Sequence, residues 1–315
     1  MSATVASPTA LPTSASDGGD HLTFNIYGYN PSLAAAIVFI IAFSLITIYQ
    51  TVLVARSRIW WLSVLIVGGV GEILGWAGRL WAAKNPYSLN AFLTQIVSLI
   101  ISPCFFSATI YGILGMIVRS IGREYSLLKP WLYLTIFCLA DLIAIVIQAI
   151  GGAKAALALQ NNEDSVAGTH IMVAGIAVQL AAMIAFCILG LDVWRRARKN
   201  RSYQNRPHSQ SERLTIVAYG LTWASVWILI RCIYRVIELA EGWDGNLMTH
   251  EPYFCILDAM AMVFAQGVFC FTWPSNEKGF RSKGDEVLPR VSSSSSQNTR
   301  ADQLGQPAGE KVQTA

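Results

Sequence analysis

The sequence predicts an all-α membrane protein: a seven-transmembrane helix bundle with its N-terminus outside and its C-terminus in the cytosol. Three observations predict it. Of the 315 residues, 54% are hydrophobic and 13% charged, where a soluble domain carries about 25% charged residues. The apolar residues fall in seven continuous runs, each long enough as a helix to cross ~30 Å of hydrocarbon. Eighteen Lys and Arg lie on one side of these runs and two, Lys84 and Lys154, on the other. The basic side is the cytosolic one, and an odd number of spans then leaves the N-terminus outside.

The elements follow in order. Residues 1–30 are small, polar and rich in Ser, Thr and Pro, and read as a disordered extracellular tail. The membrane domain, 31–274, opens at Pro31-Ser32. Its first run covers about 32–54 and is closed by Arg56 and Arg58; the second, about 59–83, ends at Lys84-Asn85-Pro86. The third, about 91–118, is closed by Arg119, Arg123 and Lys129, and the fourth covers about 130–152. A polar loop with Asn161, Asn162, Glu163 and Asp164 leads to the fifth, about 169–193. A strongly basic loop, including Arg195, Arg196, Arg198 and Lys199, precedes the sixth, about 214–238, and the seventh covers about 252–273. Residues 275–315, with a serine run at 292–296, read as a disordered cytosolic tail. Helices are preferred to barrel strands because the runs are continuous rather than alternating.

Several function classes find no support. The net charge is +4, and the basic residues sit in short clusters between apolar runs, which makes them topology signals rather than a nucleic-acid surface. No Walker A sequence and no GxGxxG followed by an acid is present, so neither an ATP-driven pump nor a nucleotide enzyme is indicated. The six cysteines lie inside apolar runs without a CxxC pair and read as small buried hydrophobes rather than a disulfide framework. The first run is too long for the core of a cleavable signal and has no Lys or Arg before it, so it is expected to serve as its own insertion signal. Asn200-Arg201-Ser202 matches a glycosylation sequon on the cytosolic side and is expected to be unused. His170, His250 and Glu251 reach the number of ligands that zinc needs, but their spacing gives no metal signal. No Ser or Cys can be set beside a histidine base, so no catalytic residue, metal or cofactor is expected.

The informative residues are ionisable groups inside the runs: Glu72, Arg79, Asp141, Arg231, Arg235, Glu238 and Asp258. A central Arg or Asp costs about 2.5–3.5 kcal/mol to insert, whereas a Leu, Ile, Val or Phe returns about 0.3–0.6. The sixth run carries three such charges, so it inserts only if they meet partners, water or the interface. With the predicted topology, the charges concentrate between mid-membrane and the outer surface. Arg231, Arg235 and Glu238 follow i, i+4, i+7 and share a helix face. Glu72 and Arg79 also share a face but lie about 10 Å apart along the axis, so each needs a partner elsewhere. Gly71 and Gly75 form a GxxxG that permits close helix approach beside them, and Gln95, Gln148, Gln179 and Gln266 add polar groups on four runs. Trp76 sits one turn from both charges, deep enough to line a cavity, whereas Trp60, Trp81 and Trp131 fit an interfacial belt.

Two compatible readings arise for the set Glu72, Arg79, Asp141, Gln148, Gln179, Arg231, Arg235, Glu238 and Asp258. In one, they form a structural ion-pair network that fixes helix order. In the other, they line or brace a polar chamber, open outward, that binds a ligand head group.

The polar positions, taken in order, resemble the fungal RTA-like family, named for resistance to aminocholesterol and described as lipid-translocating exporters. The resemblance covers about 27–258. It rests on Tyr27-Gly28-Tyr29-Asn30-Pro31-Ser32; on Glu72-Ile73-Leu74-Gly75-Trp76-Ala77-Gly78-Arg79; on Pro103, Ala108 and Tyr111; on Asp141, Gln148 and Gly151-Gly152; and on Gly175 and Gln179. Arg231-Cys232-Ile233-Tyr234-Arg235-Val236-Ile237-Glu238 comes next, then Gly242, Glu251, Tyr253 and Asp258. Departures are Trp76 where the family usually has Tyr, Ser102 where Ala is common, and the ending Trp273-Pro274-Ser275. The resemblance implies a multi-pass protein of fungal membranes, most often the plasma membrane. It is expected to translocate or export lipids or amphiphiles such as sphingoid long-chain bases and to confer resistance to toxic lipids or drugs, without being an enzyme. Its expected partners are membrane lipids or amphiphilic small molecules. Glu72, Asp141 and Asp258 suit an ammonium head; the arginines argue equally for a phosphate or carboxylate. The alternative is a seven-helix lipid or stress sensor, whose basic loop and Ser-rich tail would engage cytosolic signalling or trafficking partners.

Overall fold

A computed structural model describes residues 32–85, 88–121, 129–160, 165–199, 208–242 and 250–274. The tails at 1–30 and 275–315, the opening motif up to Pro31, the sequon at 200–202 and residues 243–249 lie outside the described residues. The chain divides into two units, Met1–Phe280 and Arg281–Ala315, and every described residue belongs to the first.

Seven helices among the described residues are long and apolar enough to cross a membrane. They are α1 (Leu33–Ser57), α2 (Ser63–Lys84), α3 (Leu89–Ile121), α4 (Pro130–Gln160), α5 (Val166–Lys199), α6 (His208–Ala240) and α7 (Glu251–Cys270). The chain is a seven-helix membrane bundle. Ser32 caps α1, its Oγ accepting from the Ala35 N–H at 3.3 Å, which serves one of the four donors a helix start leaves open. At the other end Arg58 takes a left-handed conformation and its N–H bonds Val54 O. A 3₁₀ turn at Trp60–Leu62 then leads into α2, so the second apolar run is not one uninterrupted α-helix.

Consecutive helices pack side by side, and α1 also meets α7. The central helix is α3, which touches α2, α4, α5, α6 and α7. Its apolar window is 56% buried, against 28% for α1 and α4. The outward faces are as apolar as the core: Val38, Leu45, Ile48, Leu139 and Ile188 are all exposed. Where the solvent is lipid, such faces lose nothing by exposure, so burial inside the bundle selects for polarity and fit rather than for hydrophobicity.

Small residues set the closest approaches. On α2, Gly68, Gly71, Gly75 and Gly78 face Phe106, Ser102, Leu99 and Gln95 of α3 in descending order. A Cβ at Gly78 would come within 2.8 Å of the Gln95 backbone nitrogen, so the two backbones touch there. Between α4 and α5, Gly151, Gly168 and Gly175 act alike, a Cβ at Gly151 meeting the Met172 nitrogen at 2.6 Å. These two seams hold Arg79 against α3 and bring Gln148 of α4 within reach of Gln179 of α5. A third seam is polar. Gln50 of α1 and Gln266 of α7 exchange hydrogen bonds of 2.9 Å, and Gln266 also donates to Thr47 Oγ1. Both glutamines are fully buried, and their pairing ties the first helix to the last where an unpartnered amide would be costly.

Candidate functional site

The nine polar residues singled out from the sequence are all buried. Most of them converge at the end of the bundle where α2 and α6 finish and α3 and α7 begin. The organising residue is Arg235 of α6. It holds Asp258 of α7 with Nε to Oδ1 at 2.8 Å and Nη2 to Oδ2 at 3.3 Å, and it donates from Nη1 to Glu238 Oε2 at 3.0 Å. The two-pronged grip on Asp258 uses the planar fork that only arginine offers. Arg231, one turn earlier, sets its Nε 3.1 Å from Asp258 Oδ1, so a single carboxylate bridges both guanidiniums. Tyr234 donates to the remaining oxygen of Glu238 at 2.8 Å.

Asp258 reaches α6 because α7 is not a plain α-helix. Residues Phe254–Met260 form a π-helix, a rare widening that recurs at functional positions. No local feature of the sequence announces it.

Arg231 makes one more contact, and Pro103 explains it. Proline has no N–H, so the carbonyl four residues earlier, Leu99 O, lacks its ordinary helix donor. Arg231 Nη2 supplies one at 2.6 Å. A helix break in α3 thus becomes an anchor for a cation of α6, which is how membrane helices tolerate proline. Pro103→Ala is expected to return an N–H to Leu99 and to release Arg231 from a charged hydrogen bond worth about 1.5–3 kcal/mol. The melting temperature should hold or rise, because α3 regains a backbone bond. A structure of the variant with Arg231 still bonded to Leu99 O would contradict this account.

Arg79 finds its partner in Glu251, at the first turn of α7, with Nη2 to Oε1 at 2.9 Å. Glu251 also accepts the Ser32 N–H through both oxygens, at 2.9 and 3.1 Å. One carboxylate therefore joins the starts of α1 and α7 to the end of α2. In the sequence Glu251 stands out only as a possible zinc ligand and a shared family position, not as this partner. Phe254 does not stand out there at all. Its ring lies 4.7 Å from the Arg79 guanidinium carbon and 5.3 Å from that of Arg235, close enough for attraction to the ring face. Trp76 is packed against Phe39 and Phe254 with no exposure. It backs the site and is not on the cavity wall, although its depth would allow it to line a cavity.

A narrow cavity of about 50 Å³ opens beside this network. Arg79, Arg231, Arg235 and Glu238 supply its charges, and Gln95, Gln148 and Gln179 its amides. Gln148 donates to Gln179 Oε1 at 3.3 Å, and Gln179 donates to Cys104 Sγ at 3.2 Å. Glu72, Asp141 and Asp258 are not on the wall. Asp258 stands behind the arginines. Glu72 is buried on α2, where the charges of Arg231, Asp258 and Arg235 act on it through space, yet its Oε1 has no hydrogen bond among the described residues. Asp141 is apart from the arginines: Tyr111, whose ring packs against Phe137 and Phe186, donates to its Oδ2 at 3.1 Å. Among the described residues no three His, Cys, Asp or Glu side chains gather as a metal site.

The model of the family described as RTA1 like protein matches residues 65–279. The chain is 30% identical to the sphingoid long-chain base transporter RSB1 of Saccharomyces cerevisiae (strain YJM789) over 293 residues, which cover 84% of this chain and 77% of that protein. It is 28% identical to Protein RTA1 of S. cerevisiae, over 80% of this chain and 85% of that one. With protoporphyrin uptake protein 1 of the same yeast the identity is 24%, over 76% and 89%. No solved structure matches the chain. Since the family match takes in α2 through α7 and every ion pair just described around Arg235, this chain belongs to the RTA1-like protein family.

Proposed function

We propose that this protein moves lipids or other amphiphiles across the membrane, and that the chamber beside Arg235 is where the head group is held. One observation carries the reading. A bundle whose outer faces are apolar keeps three guanidiniums and a carboxylate on the wall of an internal cavity, although each charge is expensive to insert. A purely structural network would be as well served by filling that space. Two relatives are named for handling amphiphilic small molecules, one for sphingoid long-chain bases and one for protoporphyrin, which supports the same reading.

The positive-inside rule orients the chamber toward the cell exterior, with the N-terminus outside and the 275–315 tail in the cytosol. The plasma membrane is the membrane in which an outward chamber and a role in resistance to toxic amphiphiles make sense together. In this scheme Arg79, Gln148, Gln179, Arg231, Arg235 and Glu238 face the head group. Asp258 and Glu251 brace the arginines, and Glu72 and Asp141 are buried acids off the cavity wall.

The test is reconstitution. Purified protein in sealed liposomes should move a fluorescent amphiphile between leaflets without other proteins or nucleotide, and Glu72→Gln should slow it while the protein remains folded. Saturable binding with no movement would instead favour a lipid sensor.

A further inference from the structure

The chamber has a neighbour. A second cavity of about 270 Å³ lies between α3 and α4, walled by Leu93, Val97, Ile101, Ile145, Ala149 and Gly152 among others. It is almost wholly apolar, whereas the chamber holds the charges. Phe92, Ile96, Ile100, Gln148 and Met172 line both, so a single layer of side chains is all that separates them. The pair has the shape of an amphiphile: a polar pocket for the head and an apolar groove, on the lipid side of α3 and α4, for a chain.

The wall also carries a sign. Its three guanidiniums are hydrogen-bond donors only. Two of the carboxylates paired with them, Glu251 and Asp258, are not among the lining residues. Glu238 is the one carboxylate of the lining, and its oxygens already accept from Tyr234 and Arg235. An ammonium head brings donors and positive charge, and would meet three like charges, with the amide oxygens of Gln95, Gln148 and Gln179 and the already engaged Glu238 as the acceptors of the wall. A phosphate or carboxylate head brings acceptors, and arginine forks are the side chains best suited to them. We infer that this site takes an amphiphile with an anionic head, phosphate or carboxylate, whose alkyl chain lies in the α3–α4 groove. The inference deepens the translocation reading and rests on the chamber being the head-group site.

The experiment compares probes with one alkyl chain and the same fluorophore at its end: a lysophosphatidate, a fatty acid and a sphingoid base. Binding is measured for all three with purified full-length protein, and transbilayer movement for the phosphate and ammonium probes in liposomes. The anionic probes should bind roughly ten- to a hundredfold more tightly than the ammonium probe, the range of one charged hydrogen bond. Arg231→Gln should erase most of that preference. Ala149→Phe puts bulk into the groove at an exposed position of α4, where folding is not at stake. It should weaken the long-chain probes and spare a short-chain homologue. Inorganic phosphate alone should compete poorly.

Equal or tighter binding of the ammonium probe overturns the inference and leaves translocation standing. Binding of the anionic probes without movement keeps the inference and defeats the translocation reading. Inorganic phosphate binding as tightly as the lysophosphatidate, with Ala149→Phe inert, overturns the groove.

Discussion

Arg235→Ala is expected to abolish amphiphile movement by the reconstituted protein and to destabilise the bundle by about 3–5 kcal/mol, the cost of stripping a buried carboxylate of its cation. Arg235 is the partner of both Asp258 and Glu238 and lies against the Phe254 ring. Its loss leaves two acids buried side by side near Glu72, with Arg231 as the remaining cation beside Asp258. Thermal melting in detergent measures the stability and a liposome assay the movement. Two further variants separate structure from function. Arg235→Lys keeps the charge but cannot make the two-pronged grip, so stability should recover more than movement. The double variant Arg235→Leu with Asp258→Leu removes both charges and should melt above the single variant, because a buried pair replaced by apolar groups is often neutral or better. It should still move nothing. Movement by the double variant would reduce the ion pair to a structural fixture.

The second large effect is expected at Glu251. Replacing it with alanine takes the carboxylate away from an Arg79 side chain that is 2% exposed and releases the Ser32 amide. Glu251 itself is 18% exposed, so some of the loss is screened and the cost should be nearer about 2–3 kcal/mol. Hydrogen exchange should quicken at the amides of the first turn of α1, a readout that a general loss of stability would not confine to one helix start. Unchanged exchange there would mean that Glu251 does not join α1 to α7.

How much of the molecule is legible in its sequence differs by layer. The helices are, because hydrocarbon demands about twenty apolar residues in a row and tolerates little else. The importance of Arg231, Arg235, Glu238 and Asp258 is legible too, since charges inside such runs are too costly to be incidental. Their pairing is not. Helical spacing puts Arg235 beside Glu238, but nothing local tells which carboxylate of another helix will face them. The π-turn that carries Asp258 toward α6 has no residue signature. The pairing of Glu251 with Arg79 escapes notice because Glu251 lies at the end of an apolar run, where a charge needs no partner to explain it. Pro103 is visible as a helix irregularity, yet its use depends on Arg231, 128 positions later in the chain. The head-group sign is the hardest to see. Counting charges puts acids and bases near balance, and only the arrangement in space puts three arginines but a single carboxylate, Glu238, on the cavity wall.

The central claim is that an amphiphile enters between charged α6 and the α3–α4 groove, and photo-crosslinking tests it most directly. A probe with a diazirine next to its head group, bound to the full-length protein and mapped by mass spectrometry, should label 92–100 of α3 and 231–239 of α6. A diazirine midway along the chain should shift the labels to 145–153 of α4. Labelling confined to outward positions such as Leu45 and Ile188, which any membrane lipid reaches, would contradict the account.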